Sequence, residues 1–423
     1  MTNAATASRI ARSLAFGGGD TVDEIVSLGA AAWADKVLVM TPPARTIPTF
    51  DLPDYPTKKD DRDARKAFKR QLADAMKRLT GWWLAEMIAT PNPVVERVTF
   101  GWHNHFATSA KKVKDPRVMA RQYQTLRANA FGRFEDLATE MGRDPALLFW
   151  LDATKNTASA PNENLSREFM ELFCLGVDHG YTEADVRAGA RALTGWRADK
   201  AEQGVRYDPA HHAPGAVTLL GVTGDLDPAG FVRAVLAQPQ GPGYVVSRWW
   251  RRIVGGDAPT DATVARVLAA GDTHAARLRA MITSDEMSTA GTLVVDPLAW
   301  TISAARALGV PTDDAVLLKL GHALQGLGQL PFFPPSVGGW PSGHAWLSTS
   351  GLSARLAVAQ AMTAAGSVSS VSKAGQSSRI DAVAHLIGVP GFGPRTRAYL
   401  EKHTSDPRAL TVAALVSPES LVI

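Results

Sequence analysis

Helical periodicity recurs along almost the entire chain and constrains its fold more than any other feature of the sequence. Apolar residues return every three or four positions, which is the spacing of one face of an α-helix. Asp115-Pro116 and Asp144-Pro145 each fit an N-cap followed by proline in the first helical position. In a chain of 423 residues this pattern predicts a mainly α protein, a large multi-helix array, although the length also allows two or three domains.

Three irregular segments interrupt the predicted helices. Residues 40–62 are a proline-rich loop, which predicts a strap over the surface or a lid, and residues 329–350 form a loop rich in Pro, Gly and Trp. Residues 197–225 carry valines and a tyrosine among glycines and prolines, which predicts a small β-hairpin-like insertion. Helices are predicted over residues 21–39, 63–89, 116–130, 133–142, 145–152, 163–176, 182–195, 228–238, 243–254, 259–270 and 273–283.

The composition excludes several classes of protein. The net charge of +4 is dispersed along the chain, and its densest run, Lys111, Lys112 and Lys114, is too thin to predict a nucleic-acid partner. The single cysteine, Cys174, allows no intramolecular disulfide. We find no stretch long and apolar enough for a membrane span and no signal-peptide core, so we expect a cytoplasmic protein. No phosphate-binding loop, dinucleotide fingerprint or nucleophile elbow occurs.

The segment from residue 162 to residue 176 concentrates charged side chains on a predicted buried helix. Glu168 and Glu171 lie one turn apart on one stripe, where their charges repel and call for a cation nearby. Either a metal ion or an arginine would serve, and Arg167 is the nearest arginine. Glu168, Glu171 and Arg167 are therefore the candidate catalytic residues. The structural alternative is an ordinary salt-bridge ladder along this helix, with Glu163 at its start.

Histidines supply further candidate metal ligands. His103 and His105 end a predicted helix, and on a regular helix they would point about 200° apart. They could share one metal only where the helix ends; otherwise each has a separate neighbour. His211 lies in the irregular insertion beside Asp208. The candidate metal set, for a divalent ion, is thus His103, His105, Glu168, Glu171 and His211.

A candidate substrate pocket follows from residues around these groups. Trp340 and Trp346 lie in a glycine-rich loop that permits close approach, and they could serve as flat platforms for a ligand or as plugs of a domain edge. Asn104 and Asn164 add polar groups beside the histidines and the acids. Arg187 lies on the next predicted helix and could neutralise Glu168 or Glu171 across a helix pair.

Four motifs together resemble the bacterial DUF1800 family, whose function is unknown. They are Trp102 to Phe106, Asn164 to Gly176, Gly180-Tyr181-Thr182 with Ala192 to Trp196, and Pro334 to Trp340. The resemblance runs over most of the chain and implies one helical domain over residues 1–423. It also implies a protein partner, because members are often encoded beside a sulfatase-like family, and many members carry export signals.

Two departures from the family bear on a metal site. Family members commonly have a histidine where this chain has Phe173, and His-Asp where it has His211-His212. Two functional hypotheses remain open. In the first, the His/Glu cluster between helices serves a metal-dependent, hydrolase-like enzyme or a proton-transfer centre. In the second, the same cluster is a buried structural network, and the protein is a non-catalytic binding or assembly partner.

Overall fold

Helices account for about 62% of the chain, and the predicted fold class is confirmed. The computed structural model describes residues 2–53, 62–177, 179–199 and 204–423. Within these ranges the protein has 24 α-helices, one π-helix, short 3₁₀ turns and two small antiparallel sheets of two strands each.

The described residues up to Trp150 form nine helices, and local capping defines several of them. Asp115 and Asp144 cap their helices with side-chain oxygens, and proline follows each of them. The predicted helix over residues 21–39 is wrong in one respect: Gly29, at φ 80°, divides it into two. The nine helices are α1 (Ala4–Leu14), α2 (Gly19–Leu28), α3 (Ala30–Val37), α4 (Arg62–Ala89), α5 (Pro93–His105), α6 (Ala110–Val113), α7 (Pro116–Ala128), α8 (Phe134–Met141) and α9 (Pro145–Trp150).

The middle of the chain contains the predicted insertion, which forms two antiparallel strand pairs. In the first pair Trp196 lies opposite Tyr207, and in the second Val217 lies opposite Gly224. The elements here are α10 (Asn164–Glu168), the π-helix (Phe169–Cys174), α11 (Glu183–Ala192), β1 (Trp196–Asp199), β2 (Gly204–Tyr207), β3 (Val217–Leu219) and β4 (Val222–Gly224).

The remainder of the chain is mainly helical, and its longest irregular segment is the loop that contains Trp340. Asp227, Asp296 and Asp406 each cap a helix whose first residue is proline, so these helix starts are fixed locally. The helices are α12 (Pro228–Leu236), α13 (Gly241–Ile253), α14 (Asp261–Ala269), α15 (His274–Ile282), α16 (Glu286–Thr289), α17 (Pro297–Ala307), α18 (Asp314–Gly326), α19 (Thr349–Ala365), α20 (Ser369–Lys373), α21 (Arg379–Ile387), α22 (Pro394–Glu401), α23 (Pro407–Leu415) and α24 (Pro418–Leu421).

Two hydrophobic clusters form the interior, and helix α5 belongs to both. Val98, Trp102 and Phe106 pack into the first cluster, which is built largely from α1, α8 and the middle of the chain. Phe100 packs into the second, which is built largely from α4 and the C-terminal helices. Because every residue of α5 from Val94 to His105 is buried, its polar side chains must find partners inside the protein.

The proline-rich segment is fastened to the helices over its described part, residues 40–53. The buried carboxylate of Glu86 accepts hydrogen bonds from the backbone N–H groups of Ala44 and Arg45, at 2.8 and 2.9 Å. Arg127 donates to the carbonyl of Thr41 at 2.7 Å. The rest of the predicted loop, residues 54–61, lies outside the described residues. In the described ranges, we find no helix long and apolar enough to cross a membrane.

Candidate functional site: an arginine-lined cleft beside helix α5

The polar residues at the end of α5 hold distant segments in place. Trp102 donates its indole N–H to the carbonyl of Ala130 at 3.0 Å. Asn104 accepts a 2.7 Å hydrogen bond from the backbone N–H of Trp340 through its Oδ1. The contact with Asn104 requires glycine at position 339, because a Cβ there would clash with both the side chain and the carbonyl of Asn104. The 329–350 loop is therefore docked directly on α5.

His103 is a second attachment point of the same loop. Its Nε2 accepts a 3.0 Å hydrogen bond from the backbone N–H of Phe332, a buried residue at φ 69°. The proton of the neutral ring must then lie on Nδ1. Burial lowers the pKa of His103 to about 3, so the ring is neutral at physiological pH.

His105 has a different neighbour and the opposite tautomer. Its Nε2 lies 2.8 Å from the carbonyl oxygen of Phe173, which can only accept, so the ring donates from Nε2. Burial, together with the charge of Arg248, lowers the pKa of His105 well below its ordinary value. Of the two arrangements considered from the sequence, the histidines adopt the one with separate neighbours.

The predicted helix over residues 163–176 changes its hydrogen bonding at Phe169. After α10 the backbone forms a π-helix, in which the N–H of Leu175 bonds the carbonyl of Met170 at 2.8 Å. The carbonyl of Leu172 accepts from the Tyr244 hydroxyl at 2.9 Å and from Arg248 at 3.0 Å. Side chains from α5 and α13 thus satisfy carbonyl groups at the end of the π-helix.

The candidate catalytic residues lie on the outer face of this segment. Glu168 and Glu171 are half-buried. Burial and the neighbouring charge of Glu171 raise the pKa of Glu168, and the charge of Arg167 opposes this shift. Arg167 forms ion pairs with Glu163 at 3.0 Å and with Glu183 at 2.6 Å. The salt-bridge ladder considered from the sequence therefore forms with Glu183 of α11 rather than with Glu171.

Three other predicted site residues are exposed at separate places. Asn164 begins α10, and Arg187 lies on the outer face of α11. His211 is paired with Asp208, the Nδ1 to Oδ2 distance being 2.9 Å. Within the described residues, no three His, Cys, Asp or Glu side chains come together in an arrangement that could hold a metal ion. No three members of the predicted metal set, namely His103, His105, Glu168, Glu171 and His211, are among such a group, and a metal site there stays a prediction.

A cleft of about 320 Å³ lies beside α5, where α1, α13 and the 329–350 loop meet it. Three of the predicted substrate-pocket residues, Asn104, Trp340 and Trp346, line it. The ring of Trp340 packs on Phe100 with centroids 5.0 Å apart, which gives the cleft one aromatic wall. The remainder is lined by five arginines that were not predicted from the sequence and by one acidic side chain: Arg12, Arg97, Arg248, Arg251, Arg252 and Asp296.

Hydrogen bonds to backbone carbonyls orient several of these guanidinium groups. Arg12 donates to Ser420 at 2.6 Å, and Arg252 donates to Gly101 at 2.7 Å. Arg97 donates to Ser13 at 2.9 Å and to the carboxylate of Asp296 at 2.6 Å. Since a guanidinium has five N–H donors, each group retains donor capacity after these bonds are made.

The charge of the cleft is only partly balanced by the residues that line it. Burial and the charges of Arg97 and Arg248 together lower the pKa of Arg252 to about 9, while Asp296 opposes the shift. Burial lowers the pKa of Arg12 to about 10. An anion in the cleft would favour the charged form of both guanidinium groups.

The fold and the site define a helical protein with an arginine-lined cleft at the junction of two hydrophobic clusters. A family model described as a protein of unknown function (DUF1800) matches residues 9–422. The chain therefore belongs to the DUF1800 family. Comparison with curated proteins and with solved structures finds no match.

Proposed function

We propose that the protein binds a small organic anion in the arginine-lined cleft. The observation that carries this proposal is the charge of the lining: five arginine side chains line one cleft with one acidic side chain, Asp296, among them. Like charges gathered in one cleft repel one another, so such a lining favours an anionic ligand that supplies negative charge.

Guanidinium groups suit a phosphate or a carboxylate because their planar N–H pairs match these oxygens two at a time. Arg12, Arg97 and Arg252 are already held by backbone carbonyls, so little side-chain freedom is lost when a ligand binds. Trp340 and Trp346 supply apolar surface for the uncharged part of the ligand. The ligand class is thus a phosphate monoester or carboxylate that carries a small ring.

Calorimetric titration with phenyl phosphate and with benzoate tests the proposal. In Arg248→Gln/Arg251→Gln we expect at least about a tenfold loss of affinity, because a hydrogen bond to a charged group contributes roughly 1.5–3 kcal/mol. Arg70→Gln/Arg395→Gln removes the same charge at exposed positions outside the cleft and is the matched control. If the native protein binds neither probe, or if both double variants lose affinity equally, the proposal is wrong.

This proposal follows the non-catalytic alternative, and it is supported by the arginine lining of the cleft. Catalysis by Glu168, Glu171 and Arg167 stays a prediction; the raised pKa of Glu168 is compatible with proton transfer. A partner of the sulfatase-like family and a cytoplasmic location also stay predictions. They rest on the family resemblance and on the sequence, respectively.

A further inference from the structure

A second cavity, separate from the arginine-lined cleft, lies between α4 and α18 and has a volume of about 680 Å³. We call it the α4–α18 groove. Its walls are mainly apolar and include Leu72 and Met76 from α4, Leu317 from α18, and Leu330 and Phe333 from the loop that follows. A cavity of this size and lining is in the range that holds drug-sized or lipid-sized ligands.

The rim of the groove is basic. Lys69 and Lys77 project from α4, and Lys111 and Lys114 lie at the opposite side; all four are exposed. Lys77 is partly neutralised by Asp74, at 3.0 Å, where both side chains are well exposed. Among the described residues that line the groove, we find lysines and one histidine but no carboxylate. The groove therefore combines an apolar interior with positive charge at its edge.

We propose that the α4–α18 groove binds a single-chain anionic amphiphile, with its hydrocarbon chain against the apolar walls and its carboxylate at the lysine rim. An apolar chain is favoured because burying methylene groups removes them from water. A carboxylate head is favoured because the lysines at the rim are charged and hydrated, and they would attract it without requiring its burial. The ligand class is a free long-chain fatty acid.

The packing of α18 offers a substitution that fills the groove without disturbing the protein. Gly321 lines the groove, and a Cβ added there would meet no atom within 4 Å. Leucine is also a better helix former than glycine, so Gly321→Leu should fold at least as well as the native protein. Gly326 ends the same helix and is equally open, but it does not line the groove. Gly326→Leu is therefore a matched control.

Calorimetric titration of the full chain with dodecanoate, below its micelle concentration, tests the proposal. We expect one dodecanoate per chain, at least a tenfold loss of affinity in Gly321→Leu, and unchanged affinity in Gly326→Leu. Lys69→Gln/Lys111→Gln should weaken dodecanoate severalfold and leave 1-dodecanol unaffected, because only the carboxylate interacts with the rim. Thermal unfolding midpoints of all variants confirm that the fold is retained.

Two results would overturn this inference. They are no binding of dodecanoate, and equal loss of dodecanoate affinity in both leucine variants. The Arg248→Gln/Arg251→Gln protein separates the two sites, since it should bind dodecanoate normally while losing phenyl phosphate.

Discussion

The substitution His103→Phe tests whether His103 acts as a buried hydrogen-bond acceptor. Phenylalanine keeps a flat ring between Trp83, Phe332 and Trp340, whose centroids lie 5.7, 5.5 and 5.4 Å from the imidazole. It removes the acceptor for the backbone N–H of Phe332, which is buried. An unsatisfied buried donor costs about 1–3 kcal/mol, so the free energy of unfolding at pH 7.5 should fall by that amount.

The same substitution should change the pH dependence of stability. Burial lowers the pKa of His103 to about 3, whereas an unfolded histidine titrates near 6.5. Because the pKa of His103 is lower in the folded protein, the unfolded chain binds a proton at a higher pH than the folded protein does. The free energy of unfolding therefore decreases as the pH falls below 6.5. Each pH unit below 6.5 costs about 1.4 kcal/mol, or roughly 2 kcal/mol at pH 5. The His103→Phe protein lacks this loss. Its free energy of unfolding should therefore equal that of the native protein near pH 5 and exceed it at lower pH.

Urea unfolding followed by circular dichroism at pH 7.5, 6.5, 5.5 and 4.5 measures the difference directly. His344→Phe makes the same substitution at an exposed histidine and is the matched control. A constant offset for His103→Phe across this range, or equal stability at pH 7.5, would refute the reasoning.

Two further substitutions test other buried contacts. Burial raises the pKa of Asp144 to about 6. The protonated carboxyl therefore contributes to the free energy of unfolding below pH 4, and roughly 3 kcal/mol of this contribution is lost as the pH rises to 6. Asp144→Asn retains an N-cap residue and should flatten this decline in urea unfolding, whereas an unchanged decline would contradict the assignment. Gly339→Ala should lower the thermal midpoint more than Gly343→Ala, since both have positive φ but only a Cβ at 339 clashes with Asn104. Equal thermal midpoints in the two variants would contradict the prediction that the clash with Asn104 destabilises the protein.

Helix starts could be predicted from the sequence because the signals that define them are local. A capping aspartate and the following proline fix Asp115-Pro116 and Asp144-Pro145 without any distant contact. The break at Gly29 was missed because the apolar residues on either side of it still fit one amphipathic pattern. The π-helix could not be predicted, since the carbonyl of Leu172 is satisfied by Tyr244 and Arg248 from a distant helix.

The candidate site was predicted only where its residues lie in conspicuous motifs. Trp340 and Trp346 stand out in a loop rich in glycine and proline, and the structure places both at the cleft. The arginines were missed because they come from α1, α5 and α13, which are far apart in the sequence. The signal available was Arg248 with Arg251 and Arg252 on α13, where one turn of an otherwise apolar helix carries three positive charges.

The polar residues at the end of α5 make packing contacts that bear on both proposed sites. His103 and Asn104 hold the loop that begins at Gln329, through Phe332 and Trp340. One side of that loop lines the arginine-lined cleft with Trp340, while Phe333 lines the α4–α18 groove. Because side chains on rigid helices fix this shared wall, both cavities can keep their shape without a ligand, which reduces the cost of binding.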